Sequence, residues 1–190
     1  LNLKNPKPNM QNWDNLVKRV IAPSTEVNLA FVGKYIDLKE SYKSLTESII
    51  HAGANLDTRV NIIWCDSEKI DSNNVSDTLK ESDAILVAGG FGSRGVSGKI
   101  EAIKFARENK IPYLGICLGM QLSMIEFAKN VLKLEDANSI EFDENCKNPI
   151  IYLIDSFIDA NGNKQLRTHT SPLGGTMRLG GYECDLLKGS

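Results

Sequence analysis

Several features that would place a chain in a well-defined functional class are scarce or absent from this sequence of 190 residues. Its four cysteines form no C-x-x-C pair and it has only two histidines, His51 and His169, so it contains no zinc-binding pattern. No apolar run approaches the roughly 20 residues that span a bilayer. The 22 basic side chains nearly balance the 24 acidic ones without forming a basic cluster, which argues against general nucleic-acid binding.

The two ends of the sequence also lack expected features. The chain starts with Leu1 rather than methionine, has no signal-peptide pattern, and stops at Ser190 without an obvious closing element. We therefore expect both ends to be cuts through a longer chain. A hydrophobic share of 42% suffices for a core without disulfide bonds, so we expect reduced thiols and a cytoplasmic location.

Residues 1–26 differ from the rest of the chain. Trp13, Val17 and Val20 recur at helical spacing within a polar segment, and Pro23 ends the pattern. This pattern predicts an interdomain linker over 1–26 with one short amphipathic helix that docks on a neighbour. A frayed N-terminal helix of the same domain is the alternative.

Strand and helix patterns alternate from Val27 onward. Strands are predicted at 27–33, 59–65, 84–88 and 113–116, and helices at 40–52, 75–81, 100–108 and 118–131. This alternation predicts an α/β fold, a mostly parallel sheet with helices on both faces and right-handed crossovers. Beyond about Asp136, a strand at 148–154, a turn at 159–163 and a glycine-rich segment predict extra β-structure and a lid loop.

The most specific motif is the G-x-C-x-G segment at residues 115–119, between a predicted strand and a predicted helix. This is the thiol version of the nucleophile elbow, a strained turn that raises the nucleophile at the carboxyl end of the sheet. Gly115 and Gly119 remove Cβ atoms that would collide in the turn. A helix N-terminus also favours the thiolate form of a cysteine. The motif predicts Cys117 as a nucleophile, and a small buried cysteine between packing glycines is the alternative.

A second glycine-rich segment, GGFGSRG at residues 89–95, directly follows a predicted strand. Residues 90–95 match the dinucleotide-binding pattern G-x-G-x-x-G, but the next strand ends at Cys117 without the acidic residue that this fingerprint requires. A better interpretation is an oxyanion hole, in which the N–H of Gly90 acts together with the N–H of Leu118. An ordinary glycine turn is the remaining alternative.

Four segments together resemble the glutaminase domain of CTP synthase: AGGFGSRG, GICLGMQ, ANSIEF and GGTMRLG. GICLGMQ alone would indicate only a class I glutamine amidotransferase, whereas GGFGSRG, ANSIEF and GGTMRLG together are typical of CTP synthase within that class. The resemblance runs from residue 27 to residue 190, and implies a flavodoxin-like sheet for a glutaminase domain over 27–190. It also implies that residues 1–26 link this domain to a synthetase domain of the same polypeptide.

The resemblance implies an activity and a set of site residues. Glutamine would be hydrolysed through a glutamyl thioester, and the ammonia would be used for ATP-dependent conversion of UTP to CTP. Cys117 would be the nucleophile, and Gly90 and Leu118 the oxyanion donors. Glutamine would be bound by Gly90, Leu118, Gly119, Met120, Gln121 and Glu141, and the activator GTP or the lid would involve Arg94, Arg167 and Arg178. No metal or cofactor is implied in this domain, since ATP and Mg would bind the synthetase domain, and the complete enzyme would be a homotetramer.

The sequence departs from the family pattern in two respects. Ile140 stands where the family usually has threonine. The H-P-E and H-R-H-R-Y segments, which supply the catalytic histidine, its carboxylate and an arginine in the family, do not occur in this chain. Neither histidine of the chain matches a triad position, and His169 is interpreted as an exposed loop residue rather than a base.

Two alternatives to this interpretation remain. Another class I amidotransferase, such as a GMP synthase glutaminase domain, shares the cysteine motif but not the GGTMRLG loop. A non-catalytic α/β binding module would retain the elbow and lack the histidine.

Because a thiol nucleophile needs a histidine base, we expect the isolated chain of 190 residues to hydrolyse glutamine negligibly. Glutamate release from purified chain measures this directly. Turnover comparable to that of a complete CTP synthase would contradict the triad argument.

Overall fold

The computed structural model describes residues 8–152, 156–158, 163–166 and 185–188. The chain divides into two units, Leu1–Tyr152 and Leu153–Ser190. The helices of the described residues are α1 (Gln11–Ile21), α2 (Lys43–Asn55), α3 (Val75–Leu79), α4 (Val96–Asn109) and α5 (Leu118–Asn130) of the first unit, and a 3₁₀ turn covers Lys39–Tyr42. The strands of the first unit are β1 (Thr25–Gly33), β2 (Thr58–Asp66), β3 (Ala84–Val87), β4 (Tyr113–Gly115), β5 (Ala137–Ser139) and β6 (Asn148–Ile151).

Four of these strands form one parallel sheet in the order β2-β1-β3-β4. The chain moves from β1 outward to β2 and then returns to the other side of β1 to form β3. In an open α/β sheet, such a change of direction leaves a crevice at the carboxyl ends of the strands, where ligands bind. The carboxyl ends of β1 and β3 therefore mark the expected place of a functional site.

The central strand β1 separates two layers of helices. Ala30 and Val32 contribute to a buried cluster with side chains of α3, α4 and α5. Phe31, which points to the opposite face, packs with side chains of the 3₁₀ turn and α2. Because both faces are covered, Ala30, Phe31 and Val32 are all fully buried, which explains why β1 is a continuous apolar run rather than an alternating one. The α/β class, the parallel sheet and helices on both faces are confirmed.

The element boundaries show where the sequence patterns were less informative. The helix predicted at 100–108 begins at Val96, because Gly95 has φ +70° and turns the chain into α4 four residues earlier. The short strand β5 was not predicted. It pairs with β6 in parallel, with a register shift between Asn138 and Ser139. The strand predicted at 148–154 is observed at 148–151.

The second unit contains β7 (Ser156–Ile158) and β8 (Lys164–Leu166), which pair antiparallel. Extended segments on both sides of the predicted turn at 159–163 agree with the sequence pattern, although most of the turn itself lies outside the described residues. The glycine-rich segment predicted to form a lid also lies outside the described residues.

The described part of the chain has no helix that is both long enough and apolar enough to span a membrane.

A buried ion pair joins α4 to α5. Glu126 is 1% exposed and accepts hydrogen bonds from Nε and Nη2 of Arg107, the latter at 2.8 Å, and from Nδ2 of Asn130 at 3.0 Å. Arg107 also bonds Glu108 at 3.3 Å, but Glu108 is 51% exposed. Two carboxylates thus bind the same guanidinium, one in the core and one in water. Since a buried charge depends on its partners far more than an exposed one does, the two carboxylates should differ in their effect on stability.

We expect Glu126→Gln to lower the free energy of unfolding by about 1–3 kcal/mol, because the amide leaves the buried donors incompletely satisfied. Glu108→Gln, the matched control, should change it by less than about 0.5 kcal/mol. Urea unfolding of the two variants provides the comparison. Equal changes in the free energy of unfolding for the two variants would show that the burial of Glu126 adds nothing to the strength of its ion pair with Arg107.

Candidate active site

Three strand ends bring the candidate site residues to one edge of the sheet. Lys34 follows β1, Gly89 and Gly90 follow β3, and Cys117 follows β4. Because β1, β3 and β4 are adjacent and parallel, their carboxyl ends lie side by side. The segments that the sequence singled out at 89–95 and 115–119 therefore meet at this edge.

Cys117 has the backbone conformation of a nucleophile elbow. Its φ of 53° and ψ of −109° lie outside the regions that L-amino acids normally occupy. A residue held in such a conformation costs on the order of 1–3 kcal/mol, and strain of this kind is concentrated at functional sites. Cys117 is exposed and immediately precedes α5. By contrast, Cys65 is buried, and burial raises the pKa of its thiol to about 11, which disfavours the reactive thiolate form.

The glycines of the elbow are required by close backbone contacts. A Cβ atom on Gly119 would lie 2.2 Å from the carbonyl oxygen of Val87, at the end of β3. A Cβ atom on Gly115 would lie 2.6 Å from the backbone of Gly119. The hydroxyl of Tyr113 also donates a hydrogen bond to the carbonyl of Gly119 at 2.7 Å, and burial raises the pKa of Tyr113. The conformation of the turn is thus held by its close contact with the end of β3 and by the hydrogen bond from Tyr113 of β4.

The loop after β3, residues 89–92, contacts the elbow directly. A Cβ atom on Gly89 would lie 3.2 Å from Cβ and 3.9 Å from Sγ of Cys117. Gly90 has φ +149°, and its Cα lies above the side chain of Lys34, whose Cε would be 3.0 Å from an added Cβ atom. The N–H of Gly92 donates a hydrogen bond to Oε1 of Glu141 at 3.0 Å. The loop that was predicted to supply the oxyanion donor therefore lies against the nucleophile.

Two buried lysines hold this loop from below. Lys34 is 6% exposed and its Nζ donates a hydrogen bond to the carbonyl of Phe91. Lys99 is fully buried and its Nζ donates a hydrogen bond to the carbonyl of Ala88 at 2.8 Å. Burial, together with the positive charge of Lys34, lowers the pKa of Lys99 to about 8, whereas negative charge at Cys117 acts in the opposite direction.

The first turn of α5 contains the remaining residues of the predicted glutamine site. Leu118 is buried as the first residue of the helix, where an N–H has no acceptor in its own helix. The N–H of Gly119 donates to the carbonyl of Ile116 at 2.9 Å, and Gly119 acts mainly in close packing. Met120 is 51% exposed and Gln121 is partly exposed.

Glu141, after β5, is brought to this region by its hydrogen bond to Gly92.

The arginines predicted to respond to GTP or to act in the lid can be located only in part. Arg94 is exposed, forms an ion pair with Glu68 at 2.6 Å, and has its guanidinium carbon 4.9 Å from the centre of the Tyr35 ring. Arg167 and Arg178 lie outside the described residues.

The described part of the chain contains one histidine, His51, which is exposed on α2. Because α2 covers the face of the sheet opposite to α5, His51 is not placed to act on Cys117. His169 lies outside the described residues. Among the residues with described positions, no group of three or more histidine, cysteine or carboxylate side chains could hold a metal ion.

Sequence reasoning missed three side chains of this site: Lys34, Lys99 and Tyr113. Lys99 had a detectable signal, since it lies three residues after Val96 and four before Ile103, on the apolar stripe of α4. A lysine within such a stripe is either paired or functional, because its charge is costly to bury.

We expect Gly119→Ala to destabilise the protein by at least about 2 kcal/mol and to slow alkylation of Cys117, because the added methyl group must displace the elbow from Val87. Met124→Ala, on an exposed position of the same helix, is the control and should change stability by less than about 0.5 kcal/mol. Thermal unfolding and thiol alkylation measure the two effects. Unchanged alkylation in Gly119→Ala would contradict the assigned packing role.

The comparisons with known proteins agree with this geometry. The sequence matches the family described as glutamine amidotransferase class-I over residues 37–190. The chain is 69% identical over 190 residues to a CTP synthase of Campylobacter jejuni subsp. doylei, covering 100% of this chain and 35% of that protein. It is 66% identical over 189 residues to the CTP synthase of Wolinella succinogenes, and the match covers 100% of this chain and 34% of that protein.

A solved structure is also similar. The glutaminase domain of Trypanosoma brucei CTPS, with bound acivicin, has a TM-score of 0.64 and 39% sequence identity, covering 68% of this chain and 50% of that one. The chain spans about a third of the length of the curated relatives, since it covers 35% and 34% of the two named above. The parallel sheet, the strained cysteine elbow and a family match that covers most of the sequence lead to one conclusion: the chain belongs to the class-I glutamine amidotransferase family.

Proposed function

We propose that this chain is the glutaminase domain of a CTP synthase, which hydrolyses glutamine at Cys117 and supplies the ammonia that converts UTP to CTP. The observation that carries the proposal is the strained elbow at Cys117, packed against the glycine loop at 89–92. Identities of 63–69% to CTP synthases over the whole chain support this choice over other amidotransferases.

The proposed chemistry follows from the groups at the elbow. The thiolate of Cys117 attacks the carboxamide carbon of glutamine, and the carbonyl oxygen gains negative charge. The N–H groups of Gly90 and Leu118 stabilise this oxygen, a contribution that typically amounts to a factor of about 10²–10³ per donor. Collapse of the intermediate releases ammonia and leaves a glutamyl thioester on Cys117, and water then cleaves the thioester to glutamate. The proton transfers in both steps require a histidine base, which we propose is supplied by the family's H-P-E segment and not by His51 or His169.

Glutamine recognition is proposed for the first turn of α5 and for Glu141. The carboxylate of Glu141 would bind the α-ammonium group of glutamine, since a charge-assisted hydrogen bond is about twice as strong as a neutral one. The same carboxylate accepts the N–H of Gly92, so substrate binding and the loop beside Cys117 share one side chain. Gln121 lies one helical turn after Cys117, and together with Met120 and Gly119 it would border the substrate.

The rest of the catalytic cycle is proposed for a synthetase domain of the same polypeptide, with ATP and Mg bound there, in a cytoplasmic homotetramer. The relatives are about three times as long as this chain, which leaves room for such a domain, since the chain covers 35% of the Campylobacter protein. Residues 1–26 are proposed as the linker. The exposed apolar side chains of α1, among them Trp13 at 61% and Val17 at 48% exposure, suit a helix that docks on a neighbouring domain.

GTP is proposed as an activator that binds near Arg94. The guanidinium of Arg94 stacks on the ring of Tyr35, and both side chains are exposed. An aromatic ring beside a cation suits a ligand with a purine base and phosphates. Arg167 and Arg178 complete the proposal as lid residues.

We expect Cys117→Ala in the complete polypeptide to abolish glutamine-dependent CTP formation and to leave ammonia-dependent CTP formation unchanged, because only the glutaminase step uses the thiol. Cys146→Ala, at a partly buried cysteine that is not among the predicted site residues, should leave both activities unchanged. Steady-state assays with glutamine or an ammonium salt distinguish the two. Equal loss of both activities in Cys117→Ala would contradict a role restricted to the glutaminase step.

Acivicin, which is bound to the Trypanosoma brucei glutaminase domain, provides an independent test. We expect it to modify wild-type protein and Cys146→Ala at Cys117, and to leave Cys117→Ala unmodified, as measured by intact-protein mass spectrometry. Modification of Cys117→Ala to the same extent would exclude Cys117 as the reactive residue. Absence of any reaction, together with absence of glutamine-dependent activity, would favour a non-catalytic binding module.

A further inference from the structure

We propose that Lys99 is a positioning residue for glutamine hydrolysis: it binds the carbonyl of Ala88 and thereby holds the peptide between Gly89 and Gly90 against Cys117. The inference rests on the proposed function, because it assigns to Lys99 an effect on the oxyanion step of that reaction.

At the end of β3, the amino group of Lys99 takes the place of a strand N–H as a hydrogen-bond donor. The N–H of Ala88 donates to the carbonyl of Val32 at 3.0 Å, and the N–H of Ile116 donates to the carbonyl of Val87 at 3.0 Å, so the sheet pattern continues to this point. The next carbonyl along the strand, that of Ala88, is bound by Nζ of Lys99 at 2.8 Å. Lys99 therefore continues the hydrogen bonding of β3 at the position where the sheet opens towards Cys117.

The loop beyond Ala88 has little other support on the side of the nucleophile. Gly89 and Gly90 have no side chains to pack, and Gly90 has φ +149°, a conformation that residues with a side chain rarely adopt. A Cβ atom added to Gly89 would nevertheless lie 3.2 Å from Cβ of Cys117, so the loop passes close to the nucleophile. The next fixed points are the carbonyl of Phe91, bound by Lys34, and the N–H of Gly92, bound by Glu141. Loss of the Lys99 contact would leave the loop anchored only at its far end.

The burial of Lys99 argues against a purely structural role. Its side chain is fully buried on the apolar stripe of α4, near a second buried lysine, Lys34. Methionine or leucine would fill the same space without the cost of burying a cation. The lowered pKa of Lys99, about 8, shows this cost. A charged amino group at this position is therefore better explained by its hydrogen bond to Ala88 than by packing.

The expected effect is on the chemical step rather than on substrate binding. A displacement of about 1 Å of a positioned group can reduce a rate by roughly 100-fold, and a lost oxyanion donor has an effect of similar size. Glutamine recognition is proposed for other side chains, Glu141 and Gln121, whereas the hydrogen bond of Lys99 goes to the carbonyl of Ala88. A loss of transition-state stabilisation without a change in ground-state binding lowers kcat and leaves KM unchanged.

The test uses Lys99→Met in the complete polypeptide. We expect kcat with glutamine to fall about 10–100-fold, KM for glutamine to stay within about twofold, and the activity with ammonia to be unchanged. Lys104→Met, on the same helix and only partly buried, is the control and should retain wild-type kcat. Lys99→Arg keeps the cation and its donors and should recover part of the lost kcat. Retention of wild-type kcat in Lys99→Met, or no recovery in Lys99→Arg, would overturn the proposal.

Alkylation of Cys117 by iodoacetamide separates positioning from a direct effect on the thiol, because this displacement develops no oxyanion on a carbonyl group. We expect Lys99→Met to slow this alkylation less than it lowers kcat, since loss of the Lys99 charge acts on the thiolate, whereas displacement of the loop acts only on the oxyanion step. A decrease of the alkylation rate as large as that of kcat would overturn the positioning role. It would show that Lys99 acts through the charge of the thiol instead.

Two outcomes of these assays separate a failure to fold, or a failure of the proposed function, from a failure of the role assigned to Lys99. If Lys99→Met loses activity with ammonia as well, it has failed to fold, and Lys99→Arg then decides the question by its kcat and KM with glutamine. If the wild-type protein itself has no glutamine-dependent activity, the proposed function fails, whereas an active wild type with an equally active Lys99→Met refutes only the role of Lys99.

Discussion

The contact between Gly119 and the carbonyl of Val87 is the constraint on which the candidate site depends. A Cβ atom at residue 119 would lie 2.2 Å from that oxygen, so α5 can start where it does only because residue 119 has no side chain. The close approach forces the chain to turn sharply at Cys117, which takes φ 53° and ψ −109°. The strain at Cys117 is thus compensated by the packing of α5 on the sheet, and the thiol is held in an exposed position at the carboxyl end of the strands.

The charges around the elbow follow from the topology of the sheet. The change of direction between β1 and β3 opens a crevice at their carboxyl ends, and Lys34 and Lys99 place two cations beneath the loop that borders it. Burying two cations so close together is unfavourable, yet each binds a backbone carbonyl of the loop after β3. Lys99 also interacts electrostatically with Cys117, the proposed nucleophile. Glutamine binding through Glu141 would be coupled to the same loop through Gly92.

The sequence predicted the sheet better than it predicted the ends of the helices and the short strands. The four strands of the main sheet are apolar runs that are recognisable without tertiary information, because a parallel strand covered on both faces is apolar throughout. The start of α4 at Val96 was missed because it depends on the left-handed conformation of Gly95, which composition does not reveal. β5 has only three residues, and its identity as a strand depends on pairing with β6. In the site, Cys117 follows from its motif, whereas Glu141 was assigned only through the family resemblance.

By itself, the sequence determined the parallel α/β architecture and the position of the elbow, since both depend on local patterns: alternating apolar runs, and glycines two residues to either side of Cys117. Only the tertiary structure decided which distant groups meet there. Lys99 reaches the carbonyl of Ala88 because α4 packs across the end of β3, and Glu141 reaches Gly92 although the two residues are 49 positions apart in the sequence. Such contacts depend on how helices and strands pack in three dimensions, and no local pattern encodes that packing.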